Sequence, residues 1–114
     1  MPAESTPEAM PLHVERSGTP DAPVVLISGE IDVSTAPMVR DALDAALDGG
    51  ARRLTLDLAG VGFVDSSGLG VLVGALRRLQ EERDGRLLVD NVQEPVRKVF
   101  EITGLGPMFG LAPR

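Results

Sequence analysis

Two adjacent serines stand where the hydrophobic pattern of the chain changes from that of a strand to that of a helix. They belong to the run Asp65-Ser66-Ser67-Gly68. Free backbone N–H groups and the helix macrodipole favour negative charge at a helix N-terminus, so a hydroxyl placed there can carry a phosphate without disturbing the fold. Ser and Asp are also preferred N-cap residues, and an ordinary capped helix would need no more than this run. We expect Ser66 at the N-cap and Ser67 as the first helical residue.

Several carboxylates follow or precede the predicted strands. Glu30 and Asp32 come directly after an apolar run, and Asp65 comes just before the helix, which it could simply help to cap. The carboxyl ends of strands in α/β folds are favoured positions for functional sites. We therefore expect Asp32 and Ser66 to share one surface. Asp57 alternates with apolar residues, which predicts a solvent-facing position in a strand.

The sequence does not support an enzyme. Its single histidine, His13, lies near the N-terminus, and Ser66 lacks the G-x-S-x-G elbow of a nucleophilic serine. The glycines at 68, 70 and 74 have the spacing G-x-G-x-x-x-G inside a helical pattern, which is a weak dinucleotide signal. There is no Walker A motif, and no cysteine for thiol catalysis or zinc–thiolate sites. We predict neither a cofactor nor a metal site.

Composition narrows the class of protein further. The chain has 114 residues, 43% of them hydrophobic, which suits one domain with a real core. Only 3% are aromatic and the formal net charge is −6, so base stacking and phosphate contacts with nucleic acid are both disfavoured. No apolar run reaches the roughly 18 residues of a membrane span, and no signal peptide is evident. These features predict a cytoplasmic protein.

Hydrophobic periodicity predicts the elements that must position the candidate residues. A short strand at 12–16 is followed, after a turn, by a β-branched run at 23–29 that is typical of a strand buried on both faces. A helix then covers 35–47, with Ser34 or Thr35 as its candidate cap.

The second half of the chain repeats this alternation. A strand is predicted at 53–58, where Leu and polar residues alternate until Gly60 and Gly62 break the pattern. The helix that begins at the serines runs to about residue 83, a strand follows at 86–90, and a third helix lies around 96–102.

This order of elements predicts an α/β fold. Strands separated by helices imply right-handed crossovers and a sheet that is largely parallel after its first hairpin. We expect a four- to five-stranded mixed sheet with helices mainly on one face. Residues 1–11 are predicted to be a disordered N-terminal tail, 12–106 a single domain, and 107–114 a short C-terminal tail.

Three segments together resemble a known family. GEID at 29–32, the strand LTLDL at 54–58 and FVDSSGLG at 63–70 look like the STAS domain of anti-sigma factor antagonists. The segment 96–105 is similar to the third helix of that family and the Gly-Leu pair that ends it. The resemblance covers roughly residues 12–106, and the fold that it implies is the one that periodicity predicts.

The resemblance also implies a function. Antagonists of this family bind a serine-kinase anti-sigma factor and free a sigma factor; the kinase phosphorylates the first serine of the DSS turn, here Ser66, and a serine phosphatase resets the switch. Asp32 corresponds to the acidic residue on the surface that faces the kinase. We expect a monomer without membrane or nucleic-acid contacts. The predicted partner-binding residues are Asp32, Asp65, Ser66, Ser67 and Gly68.

Two other functions remain open at this stage. The chain could be a STAS binding subunit of a transporter complex or of a larger sensory assembly, in which the serine is structural. It could also be a small enzyme or a nucleotide-binding domain, which the missing Walker A motif and the isolated His13 disfavour.

Overall fold

A computed structural model of the protein describes residues 12–111. The predicted tail at 1–11 and the last three residues of the predicted tail at 107–114 lie outside the described residues. The elements in chain order are β1 (Leu12–Gly18), β2 (Pro23–Ile31), α1 (Ala36–Asp48), β3 (Arg53–Val64), α2 (Ser66–Arg83), β4 (Arg86–Asp90), α3 (Glu94–Thr103) and a 3-10 turn (Gly106–Phe109).

The four strands form one mixed sheet in the order β1-β2-β3-β4. β1 and β2 are an antiparallel hairpin, whereas β2, β3 and β4 are parallel to one another. α1 and α2 are the crossovers that parallel neighbours require, since a tight turn cannot join them. The predicted mixed α/β sheet is confirmed.

Burial alternates along β2 instead of covering both of its faces. Val25 and Ile27 are fully buried, but their neighbours Val24 and Leu26 are only half-buried. The prediction that 23–29 is buried on both faces is therefore wrong. Its apolar residues alternate between a fully buried face and a half-buried one, and the fully buried ones share a single core with the apolar stripes of the helices.

β3 continues past the point where the sequence predicts its end. The strand runs to Val64, so the prediction that Gly60 and Gly62 terminate it at residue 58 is wrong. Gly60 pairs with Ser28 of β2, and a Cβ on Gly60 would lie only 2.5 Å from the Ser28 Cβ. The glycine permits a close approach of the two backbones within an irregular stretch of the ladder, which is a common use of glycine in strands.

This extension brings the ends of β2 and β3 together. β2 also runs two residues beyond its predicted end, and Ile31 pairs with Val64 at the last position of the ladder. The turns that lead into α1 and α2 therefore leave the sheet side by side.

The segment that follows α3 packs onto the core as far as the structure describes it. The side chain of Phe109 is fully buried, and its ring meets that of Phe100 edge to face with centroids 5.5 Å apart. Leu111 is also buried. Phe109 and Leu111, from the predicted tail at 107–114, thus contribute to the same core as the helices.

Candidate functional site

The turn between β2 and α1 is organised by the carboxylate of Asp32. Its Oδ1 accepts hydrogen bonds from the Ser34 hydroxyl at 2.7 Å, the Ser34 amide at 2.9 Å and the Thr35 amide at 3.1 Å. The Ser34 hydroxyl is the main cause that lowers the pKa of Asp32; partial burial opposes it, and the two amides add to it. Asp32 is therefore a charged group with a defined structural role in the turn.

Thr35 stabilises the same turn through its buried hydroxyl. It is the N-cap of α1, yet its side chain makes no cap hydrogen bond within that helix. The hydroxyl is buried, donates to the Glu30 carbonyl at 2.8 Å and accepts from the Asp32 amide at 2.9 Å. Of the two cap candidates, Thr35 thus has the N-cap position, and its hydroxyl joins the loop to the end of β2.

The turn between β3 and α2 is capped by an aspartate. Asp65 is the N-cap residue, with extended backbone angles, and its Oδ1 accepts a hydrogen bond from the Gly68 amide at 3.1 Å. The prediction that Ser66 is the N-cap and Ser67 the first helical residue is therefore wrong by one position. The longer side chain of Asp65 satisfies a free amide in the first turn, so Ser66 already belongs to the helix.

Two contacts hold this turn against the preceding one. The Asp65 amide donates to the Ile31 carbonyl at 3.1 Å. A Cβ on Gly68 would lie 2.6 Å from Cγ2 of Ile31 and 2.7 Å from Cγ2 of Val64, so only glycine lets the start of α2 sit this close to the strand ends. Asp32 and Ser66 consequently lie on adjacent turns, as the sequence predicts.

The two serines differ in exposure. Ser66 is exposed, Ser67 is half-buried, and Gly68 is buried beneath them. Within residues 12–111, neither serine hydroxyl takes part in a hydrogen bond. The Ser66 hydroxyl is therefore the more accessible of the two, and no contact in the described chain has to break before it reacts.

A groove of about 500 Å³ runs from the serines between α1 and α2. Its walls include Val33, whose side chain is 74% exposed, and Arg40 of α1; Gly70 and Gly74 lie on the α2 side. Sequence reasoning missed this groove. The spacing of Gly70 and Gly74, one helical turn apart, is the only signal that could have indicated it, and no pattern singled out Arg40.

The other candidate residues have local partners. Nε2 of His13 lies 2.9 Å from Oε2 of Glu15 on the exposed side of β1, and it forms no hydrogen bond with Ser66. Asp57 is half-buried rather than fully solvent-facing, because its carboxylate accepts from Asn91 Nδ2 and from the Ala59 amide, both at 3.0 Å. Asp57 thereby links β3 to the segment after β4.

Residues 12–111 provide neither a cluster of metal-ligating side chains nor a helix that could span a membrane. No group of three or more His, Asp or Glu side chains is placed to hold a metal ion. None of the helices there has the length and hydropathy needed to cross a lipid bilayer.

Known proteins that resemble this chain include several anti-sigma factor antagonists. A family model described as "Mlab, STAS domain" matches residues 14–111. The anti-sigma-B factor antagonist of Listeria monocytogenes is 40% identical over 81 residues, which are 71% of this chain and 70% of that protein.

Solved structures extend the likeness to most of the fold. The anti-sigma factor antagonist SpoIIAA in its unphosphorylated form has a TM-score of 0.75 and 30% identity, with 90% of each chain covered. The Bacillus cell fate determinant SpoIIAA in its phosphorylated form has a TM-score of 0.67 and 29% identity, with 90% of this chain and 93% of that chain covered. This chain belongs to the STAS-domain family.

Proposed function

We propose that this protein is an anti-sigma factor antagonist that binds a serine-kinase anti-sigma factor and thereby frees a sigma factor. Phosphorylation of Ser66 by that kinase ends the binding. The observation that carries the proposal is the exposed, unengaged Ser66 hydroxyl at the first position of α2, on the turn beside Asp32. Relatives named anti-sigma factor antagonists support the partner, and the two solved forms of SpoIIAA support a phosphate on this fold.

The fold can accept a phosphate at this position without rearrangement. Ser66 stands in the first turn of α2, where free amides and the macrodipole favour negative charge. The cap hydrogen bond belongs to Asp65, so a modified Ser66 leaves that bond in place. We expect the phosphorylated protein to be at least as stable as the unmodified one.

The phosphate acts instead on the partner surface. It adds about 1.5 to 2 negative charges at neutral pH. The surface already contains the carboxylates of Asp32 and Asp65, so the phosphate adds like charge beside them, and a partner must desolvate this concentrated negative charge in order to bind. A loss of about 3 kcal/mol weakens binding more than a hundredfold, and no change of shape is needed.

The partner surface that we propose consists of Asp32, Asp65, Ser66 and Ser67, with Gly68 as the buried support of the turn. The chain acts by binding rather than by catalysis, as a cytoplasmic monomer, and a serine phosphatase restores the unmodified form. The family resemblance supports these finer points, and size-exclusion chromatography with light scattering tests the expected monomer.

Kinase binding by serine variants tests the proposal. The serine-kinase anti-sigma factor is first captured from the organism's own cells with the wild-type protein, identified and purified. Its binding is then compared for the wild-type protein, Ser66→Ala and Ser66→Asp. Ser17→Asp is the matched control, because it introduces the same charge at an exposed position near the other end of the sheet. We expect Ser66→Ala and Ser17→Asp to bind as the wild type does, and Ser66→Asp to bind at least tenfold more weakly.

Undiminished kinase binding by a folded Ser66→Asp protein would contradict the charge mechanism. A stable complex with another type of protein, unaffected by kinase and ATP, would instead indicate a STAS subunit of a larger assembly.

Phosphopeptide mass spectrometry after incubation with the kinase and ATP tests the modified residue. We expect phosphate on Ser66, since its hydroxyl is exposed while that of Ser67 is half-buried beside the groove. Phosphate on Ser67, with Ser66 unmodified, would refute the assignment.

A further inference from the structure

The groove between α1 and α2 leaves room beside Ser66. Gly70 and Gly74 form part of its α2 wall, and a Cβ at either glycine would meet no atom within 4 Å. The α2 wall is therefore open at these two positions, which leaves space in the groove for a group attached to Ser66.

Arg40 lies on the α1 wall of this groove, and its charge is unpaired within residues 12–111. Among residues 12–111, its guanidinium has neither a hydrogen bond nor an ion pair. The carboxylate best placed to neutralise it is Asp44, one turn further along α1. Asp44 is already engaged, because its Oδ1 accepts a hydrogen bond from Arg78 Nη1 at 3.2 Å.

The directions of the helices bring Arg40 toward Ser66. α1 and α2 leave the ends of neighbouring parallel strands, so they run in the same direction and their first turns lie side by side. Arg40 of α1 and Ser66 of α2 line the same groove, and a helical side chain inclines toward the N-terminus of its helix, which for Arg40 is the end of α1 beside the start of α2.

We propose that Arg40 binds the phosphate of phosphorylated Ser66 across this groove. The inference rests on the proposed function for the presence of the phosphate. Arginine suits the task, since its planar guanidinium forms charge-assisted, often bidentate, hydrogen bonds with phosphate oxygens. Such a contact holds the phosphate against the protein's own surface. It links α1 to the modified serine, a contact that the unmodified protein does not make.

Phosphorus NMR of protein that carries phosphoserine at position 66 tests this contact. Phosphoserine is inserted during synthesis, so no kinase is required, and the second pKa of the phosphate is measured by titration. Wild type is compared with Arg40→Gln, Arg40→Lys and the matched control Arg77→Gln, which removes an exposed charge from α2 outside the groove. All four proteins retain Asp32, Asp44 and Asp65, whose carboxylates raise this pKa, so their differences report the removed cation alone.

We expect Arg40→Gln to raise the phosphate pKa by about half a unit or more relative to wild type, because a nearby cation favours the doubly charged form. Arg40→Lys should lie between the two, and Arg77→Gln should match wild type. The unphosphorylated Arg40→Gln protein should melt as wild type does, since Arg40 is exposed and has no partner in the described chain.

Equal phosphate pKa values in wild type and Arg40→Gln would overturn the inference, and so would an equal shift in Arg77→Gln. The result does not depend on the proposed function, because the phosphate is present whether or not a kinase acts on the protein. A kinase that fails to modify Ser66 would contradict the proposed function while leaving the titration interpretable.

Discussion

Asp65 and Ser66 are adjacent residues that differ in their contacts. Asp65 caps α2 through its bond to the Gly68 amide, whereas the Ser66 hydroxyl has no partner among residues 12–111. A hydroxyl that capped the helix would have to give up its hydrogen bond to be modified. Because Asp65 and not Ser66 makes the cap hydrogen bond, a phosphate on Ser66 is compatible with a capped helix.

The stabilities of two variants test whether Asp65 alone caps the helix. Asp65→Ala removes the side chain that satisfies a first-turn amide, and loss of such a cap costs about 0.5–2 kcal/mol of folding free energy. Ser66→Ala removes only an unengaged hydroxyl and should be close to neutral. Denaturant unfolding measures both values, and an equal loss in the two variants would show that Ser66 shares the capping role.

Asp32 gives a prediction about pH. Its hydrogen bonds lower its pKa in the folded protein below the ordinary value of 3.8, so it contributes stability above that value. The contribution is lost as the pH falls through the lowered pKa, because the folded state then binds the proton that it had excluded. Asp32→Asn lacks this ionisation and should lose its part of the pH dependence.

Thermal melts of wild type and Asp32→Asn, near neutral pH and in steps below 3.8, measure the effect. We expect wild type to be the more stable near neutrality and the difference to shrink in acid. A difference that stays constant across the range would contradict a role for the ionised carboxylate in the turn.

At the level of elements, ion pairs link α1 and α2 at one end of the helix pair, and a groove separates them near the serines. Arg78 of α2 contacts Asp44 and Asp48 of α1 and Glu82 of its own helix, at 3.2, 2.6 and 3.0 Å. The hydrogen bonds to Asp48 and Glu82 raise the pKa of Arg78 above its ordinary value. These partly exposed contacts hold the helices together away from the serines, while Gly70 and Gly74 keep the groove open near them.

Two glycines of α2 should respond oppositely to alanine. Gly68→Ala places a Cβ 2.6 Å from Cγ2 of Ile31, and overpacking of this kind costs about 1–3 kcal/mol. Gly74→Ala meets no atom within 4 Å and should stabilise the helix by up to about 1 kcal/mol, since alanine has the higher helix propensity. Denaturant unfolding of both variants provides the comparison, and two changes of the same sign would contradict the packing described for Gly68.

At the level of the whole molecule, the core draws on the chain from its first described strand to its last described residue. Leu12 of β1 and Leu111 after the 3-10 turn are both buried in the same hydrophobic cluster. The helices and the C-terminal segment supply apolar side chains to it, while the half-buried Val24 and Leu26 of β2 show that the other face of the sheet is less well covered.

Phe109 tests the contribution of the C-terminal segment to this core. Its side chain is fully buried against Phe100, so Phe109→Ala should cost about 3–5 kcal/mol. The neighbouring Met108 is 47% exposed, and Met108→Ala should change stability by no more than about 0.5 kcal/mol. Chemical denaturation distinguishes the two, and a small loss for Phe109→Ala would mean that the segment is dispensable for the core.

The sequence by itself determined the order of the elements and which candidate residues lie on adjacent turns. Hydrophobic periodicity is a local property, so it predicted the strands, the helices and the parallel crossovers, and the change of period at the serines placed them at the start of α2. The carboxyl ends of neighbouring parallel strands meet at one edge, which is why Asp32 and Ser66 could be predicted to lie together.

Only the tertiary structure decided what depends on contacts between distant segments. Gly60 resembles a strand breaker until Ser28 is seen beside it, and Asp65 and Ser66 are equal cap candidates until the turn geometry selects the aspartate. The groove beside Arg40 has no periodic signature, because it is the space left between two helices whose spacing is set by packing elsewhere. The burial of Phe109 likewise depends on a partner ring at Phe100, a match of shape that no local pattern encodes.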